Sequence, residues 1–191
     1  MSNRTQYIIL DTETSGLSSK DTILQLAYQR FDHLGRELDT FKAYICPQFP
    51  YEIHEKAFEA HGLTKEFLEE NGYVNSQIVS MLARLMRFAN DGWLFVGHNF
   101  SFDWRMITQD AVRYEVPRSI EIEYYCTQNA KEVKAFVGAV DVNGKPKAPN
   151  LAELHAKLFG TDFDGAHDAL ADVRATAKCF FELKRRGIIA V

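Results

Sequence analysis

The stretch YIILDTETSGL, Tyr7 to Leu17, decides how this chain is read. Its apolar, partly β-branched opening (Tyr7 to Leu10) predicts a buried strand, and the acidic and turn-forming residues after it put D-T-E-T-S-G at that strand's carboxyl end. Strand alternation sets Asp11 and Glu13 on one face. Two carboxylates so placed repel unless something positive stands between them. Open α/β sheets present ligands beyond the carboxyl ends of their strands, which makes the pair a candidate site. At roughly 6% usage per residue type, D-x-E arises by chance about 0.7 times in such a chain and D-x-E-T-x-G about 0.003 times, so the hexad carries the signal.

Working outward, strands are expected at Ile23 to Asp32 and Glu37 to Cys46, joined by a turn at His33 to Arg36. Two short helices follow within Ile53 to Asn71, broken at Gly62, the second capped by Thr64. Ile78, Leu82, Leu85 and Phe88 keep a helical period opened by Asn75 or Ser76. Trp93 to Gly97 reads as a compact strand, Phe102 to Tyr114 as a helix opened by Ser101, and Ile120 to Tyr125 as a fifth strand. Lys131 to Phe136 is expected to be helical and Gly138 to Pro149 a loop with a turn at Asn143-Gly144. One-faced helices follow at Leu151 to Phe159 and Ala169 to Arg186. This order implies an α/β layered domain whose mixed sheet has three antiparallel strands first and crossover-connected strands later.

The 191 residues predict one domain spanning residues 1–191, and 46% hydrophobic with 25% charged residues excludes a disordered or low-complexity chain. Apolar runs are too short to cross a membrane and the N-terminus lacks a basic-then-apolar signal pattern, so a cytoplasmic address is expected. Three cysteines without a C-x-x-C pair point to neither a disulfide framework nor a zinc site. A net charge of −4 gives no global attraction for a phosphate backbone, so nucleic-acid binding needs bound cations or a local basic patch, for which Lys131, Lys134, Lys145 and Lys147 are candidates.

Further acids lie downstream: Asp103, in the first turn of the helix after the Trp93 strand, and Asp172, five residues after His167, near the start of the last helix. On its own, Asp103 is also a helix first-turn acid of the kind the macrodipole favours. Asp168 stands where a helix N-cap is needed, which leaves Asp172 as the better site acid. His98 reads as a structural histidine before a catalytic one, and His33, His54, His61 and His155 as turn or surface residues. Four carboxylates with few imidazoles and no thiolate suit hard, oxygen-seeking cations, Mg²⁺ or Mn²⁺. Two such ions clamp the attacking and leaving oxygens of a phosphoryl displacement, and an imidazole beside them takes the proton of the attacking water.

DTETSGL (Asp11 to Leu17), GHNFSFDWRM (Gly97 to Met106) and AHDALADVRAT (Ala166 to Thr176) resemble the three motifs of the DnaQ-like, DEDDh family of 3′-to-5′ exonucleases. That family includes the proofreading epsilon subunit of bacterial DNA polymerase III, to which the resemblance is strongest, together with RNase T and oligoribonuclease. EKAFEAHGLTKEFL and NLAELHAKLFG resemble connecting segments of epsilon-like members. The resemblance spans about residues 6 to 185.

It implies a ribonuclease H-like fold with a five-stranded mixed sheet in the order 3-2-1-4-5. It also implies two divalent metal ions held by Asp11, Glu13, Asp103 and Asp172, with His167 as general base and Glu13 helping to place the water-activating ion. Thr14, Leu17, Asn99 and Phe102 would touch the terminal nucleotide, Leu17 as an apolar wedge. The implied substrate is the 3′ end of single-stranded DNA, with RNA the alternative, and the implied partner a DNA polymerase subunit. The chain's end at Val191, directly after the last helix, favours an enzyme acting alone. A non-catalytic binding module is the rival reading, disfavoured because all five site residues are present. Cys126-Thr127 departs from the Asp-Thr of many members.

Overall fold

The computed structural model describes residues 5–118 and 121–191. In chain order it contains β1 (Tyr7–Thr14), β2 (Ile23–Phe31), β3 (Glu37–Tyr44), α1 (Glu55–His61), α2 (Lys65–Asn71), α3 (Ser76–Asn90), β4 (Leu94–Gly97), α4 (Phe100–Arg113), β5 (Tyr124–Cys126), α5 (Lys131–Val137), α6 (Leu151–Phe159) and α7 (Ala169–Arg185). These elements build a ribonuclease H-like α/β fold around a five-stranded mixed sheet in the order β3-β2-β1-β4-β5. β1, β2 and β3 pair antiparallel, whereas β4 pairs parallel with both β1 and β5.

Alternation along β1 divides the core. Ile8 and Leu10 face a layer made by α3 and α4, with Leu82, Leu85, Met106 and Ile107 among its buried members. Tyr7 and Ile9 face the opposite layer, where Val173, Phe180 and Leu183 of α7 and Leu154 and Leu158 of α6 pack. The helices that lead into the parallel strands, α3 before β4 and α4 between β4 and β5, cover one face of the sheet, and α6 and α7, which follow β5, cover the other.

Most boundaries fall within two residues of the sequence reading, and three differences bear on the site and its sheet. β1 runs on through Thr14, because Asp11, Thr12 and Glu13 pair with Ala27, Leu26 and Gln25 of β2; the acidic residues therefore belong to the strand. β5 is short, Tyr124–Cys126, since it pairs only with Phe95 to Gly97; the expected start at Ile120 lies outside the described residues. The N-cap of α4 is Asn99, in the left-handed conformation at φ 77°, with Ser101 already inside the helix. Thr64 caps α2 by accepting from the Phe67 N–H, and Asp168 caps α7 by accepting from Leu170 and Ala171, as their positions predict. Cys46, Cys126 and Cys179 are all free thiols.

Candidate active site

The carboxyl end of β1 meets the amino ends of α4 and α7. Asp11 and Glu13 extend from the face of β1 that packs on α7, beside Ala27 and Gln25 of β2. Asp103 arrives from α4 on the other face and is buried. It is held there by Thr12, whose Oγ1 donates to Asp103 Oδ1 at 2.7 Å and whose backbone N–H donates to the same oxygen at 3.2 Å. Asp172 enters from the first turn of α7. Its Oδ2 accepts from the backbone N–H of His167 at 3.2 Å. Ligand atoms of Glu13, His167 and Asp172 all lie within 4.8 Å of one another.

All four carboxyls are driven toward the protonated form. Asp11 is raised well above the usual carboxylate range, first by burial and then by the charges of Asp103, Asp172 and Glu13. Glu13 is pushed up to about 8 by burial and then by Asp172, Asp103 and Asp168. Burial lifts Asp103 to about 7 against the opposing hydrogen bonds from Thr12. Asp172 is raised by burial, opposed by the His167 hydrogen bond and charge. Among the described residues no lysine or arginine forms an ion pair with any of the four. A converging set of oxygen donors whose repulsion lacks a cationic partner fits hard divalent cations.

Beside the carboxylates lies a cavity of about 730 Å³ lined by Thr14, Leu17, His54, Ala57, His61 and Phe102. Leu17 is 76% exposed, an apolar side chain standing in solvent at the rim. Phe102 forms another wall, with the Arg105 guanidinium 5.2 Å from its ring centroid. Thr14 is buried and its hydroxyl donates to Gly16 O at 2.8 Å, so its hydroxyl proton is already engaged. Asn99 stands exposed at the start of α4 and is not part of this lining. Of the aromatics near it, Phe100 is core and only Phe102 reaches the cavity.

Histidines carry the corrections. His61 is no bystander: its Nδ1 accepts from the Leu63 N–H at 3.0 Å, so Nε2 carries the proton and donates to Thr14 O at 3.1 Å. His54 is the surface residue expected, its side chain 60% exposed, and it reaches Asp21 Oδ1 at 3.0 Å at the edge of the same wall. The helical period of α1 gives no sign of this, because the contacts are made to Asp21 and Thr14, 33 and 47 residues away in the chain. His155 is buried, bonded to Thr161 O at 2.7 Å. His98 is the structural residue its position suggested: its nitrogens meet Thr127 Oγ1 at 3.0 Å and Pro149 O at 3.1 Å, and burial pushes it down to about 4. The Cys126-Thr127 departure leaves the packing closed, with Thr127 buried and its hydroxyl on Gly97 O.

Carboxyls gathered at the carboxyl end of β1, on a β3-β2-β1-β4-β5 sheet, are an arrangement of the ribonuclease H-like fold class. The chain belongs to the exonuclease family of the RNase T type, whose profile matches residues 8–180, and it is DnaQ-like within that class. It is 26% identical over 186 residues to a PolC-type DNA polymerase III of Lactococcus lactis, covering 95% of this chain and 10% of the relative. It is 25% identical over 188 residues to the Staphylococcus aureus PolC-type enzyme, covering 96% and 12%. The chain thus spans about a tenth of the length of these relatives.

Among solved structures it is similar to E. coli exonuclease I in complex with a dA16 oligonucleotide, with a TM-score of 0.78 at 20% identity, covering 95% of this chain and 41% of that one. Exonuclease I from Methylocaldum szegediense matches at a TM-score of 0.74 and 22% identity, covering 95% and 41%. These likenesses speak for the fold. No helix among the described residues is long and apolar enough to cross a membrane.

Proposed function

We propose that the protein is a 3′-to-5′ exonuclease of the DEDDh type, releasing nucleoside 5′-monophosphates from the 3′ end of single-stranded DNA. The observation that carries this reading is the convergence of four charge-strained carboxyls with His167 beside a cavity walled by an exposed leucine and a phenylalanine. Asp11, Glu13, Asp103 and Asp172 would hold two divalent ions, Mg²⁺ or Mn²⁺; when bound, such a pair lowers the pKa of the attacking water and offsets charge on the leaving 3′ oxygen. His167 accepts the water's proton, since its exposed ring stands next to Glu13 and Asp172 and can pass the proton on to solvent. Leu17 and Phe102 hold the terminal base by apolar contact and stacking, which every base satisfies, so sequence preference is weak.

The match to PolC-type polymerases supports a role in proofreading or repair and association with a DNA polymerase. DNA is favoured by those relatives; the RNase T type of the family keeps RNA as the second substrate.

The test is degradation of matched 5′-labelled single-stranded DNA and RNA with Mg²⁺, with Mn²⁺ and with chelator, alongside Asp11→Ala and His167→Ala. Metal-dependent ladders shortening from the 3′ end are expected, abolished in Asp11→Ala and reduced to a slow, measurable residual rate in His167→Ala, and the faster substrate identifies the sugar. Binding without cleavage by the wild-type protein would replace the enzyme with a non-catalytic nucleic-acid module.

A further inference from the structure

His167 has φ 68°, a left-handed conformation that a non-glycine residue adopts only when its surroundings impose it. One constraint is its own N–H bond to Asp172. The other comes from the sheet. Asp168, the next residue, uses Oδ1 to cap α7, accepting from Leu170 and Ala171 at 3.1 and 3.2 Å. Its Oδ2 accepts from Gln25 Nε2 at 3.0 Å and from Lys42 Nζ at 2.5 Å. The other end of the Gln25 amide, Oε1, accepts from the Ala169 N–H at 2.9 Å. Gln25 is buried, and in the sheet it lies directly opposite Glu13.

A carboxamide is required here, because it must donate to a carboxylate and accept from a backbone N–H at once; a glutamate would set a second negative charge against Asp168. Lys42 pairs with Ala27 on the neighbouring strand and forms the ion pair that Asp168 makes among the described residues. The first turn of α7 is thereby fixed to β2 and β3, through a residue, Gln25, that pairs with Glu13 of β1.

We infer that Gln25 and Lys42 are positioning residues for the general base: acting through Asp168, they set where His167 stands relative to Glu13 and Asp172. The inference rests on His167 being the base. Misplacement of a reacting group by about 1 Å costs on the order of 100-fold in rate without weakening substrate binding, and this sets the expected signature.

The experiment measures kcat and KM separately, with Mg²⁺ and a 5′-labelled single-stranded DNA, for the full chain and for Gln25→Leu, Lys42→Met and Lys42→Arg. Each is made with His167 intact and with His167→Ala. Gln25→Leu is expected to lower kcat by about 10- to 100-fold with KM within about twofold, Lys42→Met by about 10-fold, and Lys42→Arg to recover most of that loss. In the His167→Ala background none should lower kcat further. Equal losses in both backgrounds, or an unchanged kcat with His167 intact, would overturn the proposal. Should Gln25→Leu not fold, the half-exposed Lys42 variants carry the same comparison. Full activity of His167→Ala itself would instead defeat the assignment of the base, and is read before any Gln25 variant is compared.

Discussion

Thr12 and Asp103, 91 residues apart, share two hydrogen bonds to a single carboxylate oxygen. Thr12 is the residue between Asp11 and Glu13 and points to the opposite side of β1, so the strand presents its own two acids on one face and grips a third, from α4, on the other. Replacing Thr12 by the isosteric valine removes one donor to a buried charge, an effect of about 1.5–3 kcal/mol. We expect Thr12→Val to fold and to weaken Mg²⁺ binding by about 10-fold or more, read by metal titration of thermal stability, with kcat falling in parallel.

The carboxyl cluster predicts an unusual pH dependence for the metal-free protein. Glu13 and Asp103, raised to about 8 and about 7, bind protons more tightly folded than unfolded. Stability therefore falls as pH rises from about 4 through these values and is lowest above about 8. Melting in chelator at pH 6 and pH 8.5 should give the higher Tm at pH 6. Saturating Mg²⁺ should raise the pH 8.5 value most, and Asp103→Asn should raise it in chelator while abolishing the gain from metal.

Gly16 is fixed by space. A Cβ there would lie 2.3 Å from His54 Cδ2 and 2.7 Å from Asp21 Oδ2. Gly16→Ala must push His54 off Asp21 and open the wall between the Leu17 loop and α1. A stability loss of about 1–3 kcal/mol is expected, with KM for single-stranded DNA rising several-fold and kcat changing less. A KM equal to wild type would show that this wall does not contact substrate.

Asp110 is a purely structural acid by contrast. It accepts from Thr22 Oγ1 at 2.8 Å, Ile23 N at 2.9 Å and Arg113 at 2.8 Å. Asp110→Ala strands a buried backbone N–H and part of a buried ion pair, at a cost of about 3 kcal/mol, or roughly 6–12 °C in Tm. Mg²⁺ affinity at a temperature where the variant is folded should stay at the wild-type value.

Much of this molecule is legible in sequence because the governing physics is local. The twofold alternation of β1 places Asp11 and Glu13 together before any fold is known, and the capping position in α7 separates the N-cap Asp168 from Asp172, which lies beside Glu13 and His167. The order and spacing of the three motifs carry the family and, through it, the sheet order. The end of β1 is less legible, since acidic residues read as strand-ending by composition while pairing with β2 holds them extended.

Tertiary packing alone decided the rest. Asp103 reaches the cluster because α4 crosses the face opposite α7 and Thr12 catches it there. His54 and His61 become cavity walls through bonds to Asp21 and Thr14, and His155 is buried under the chain that follows α6. Gln25 and Lys42 meet Asp168 across 143 and 126 residues. Side-chain periodicity reports which way a residue faces within its own element. What it faces is set by how the elements stack, and that depends on the whole core closing at once.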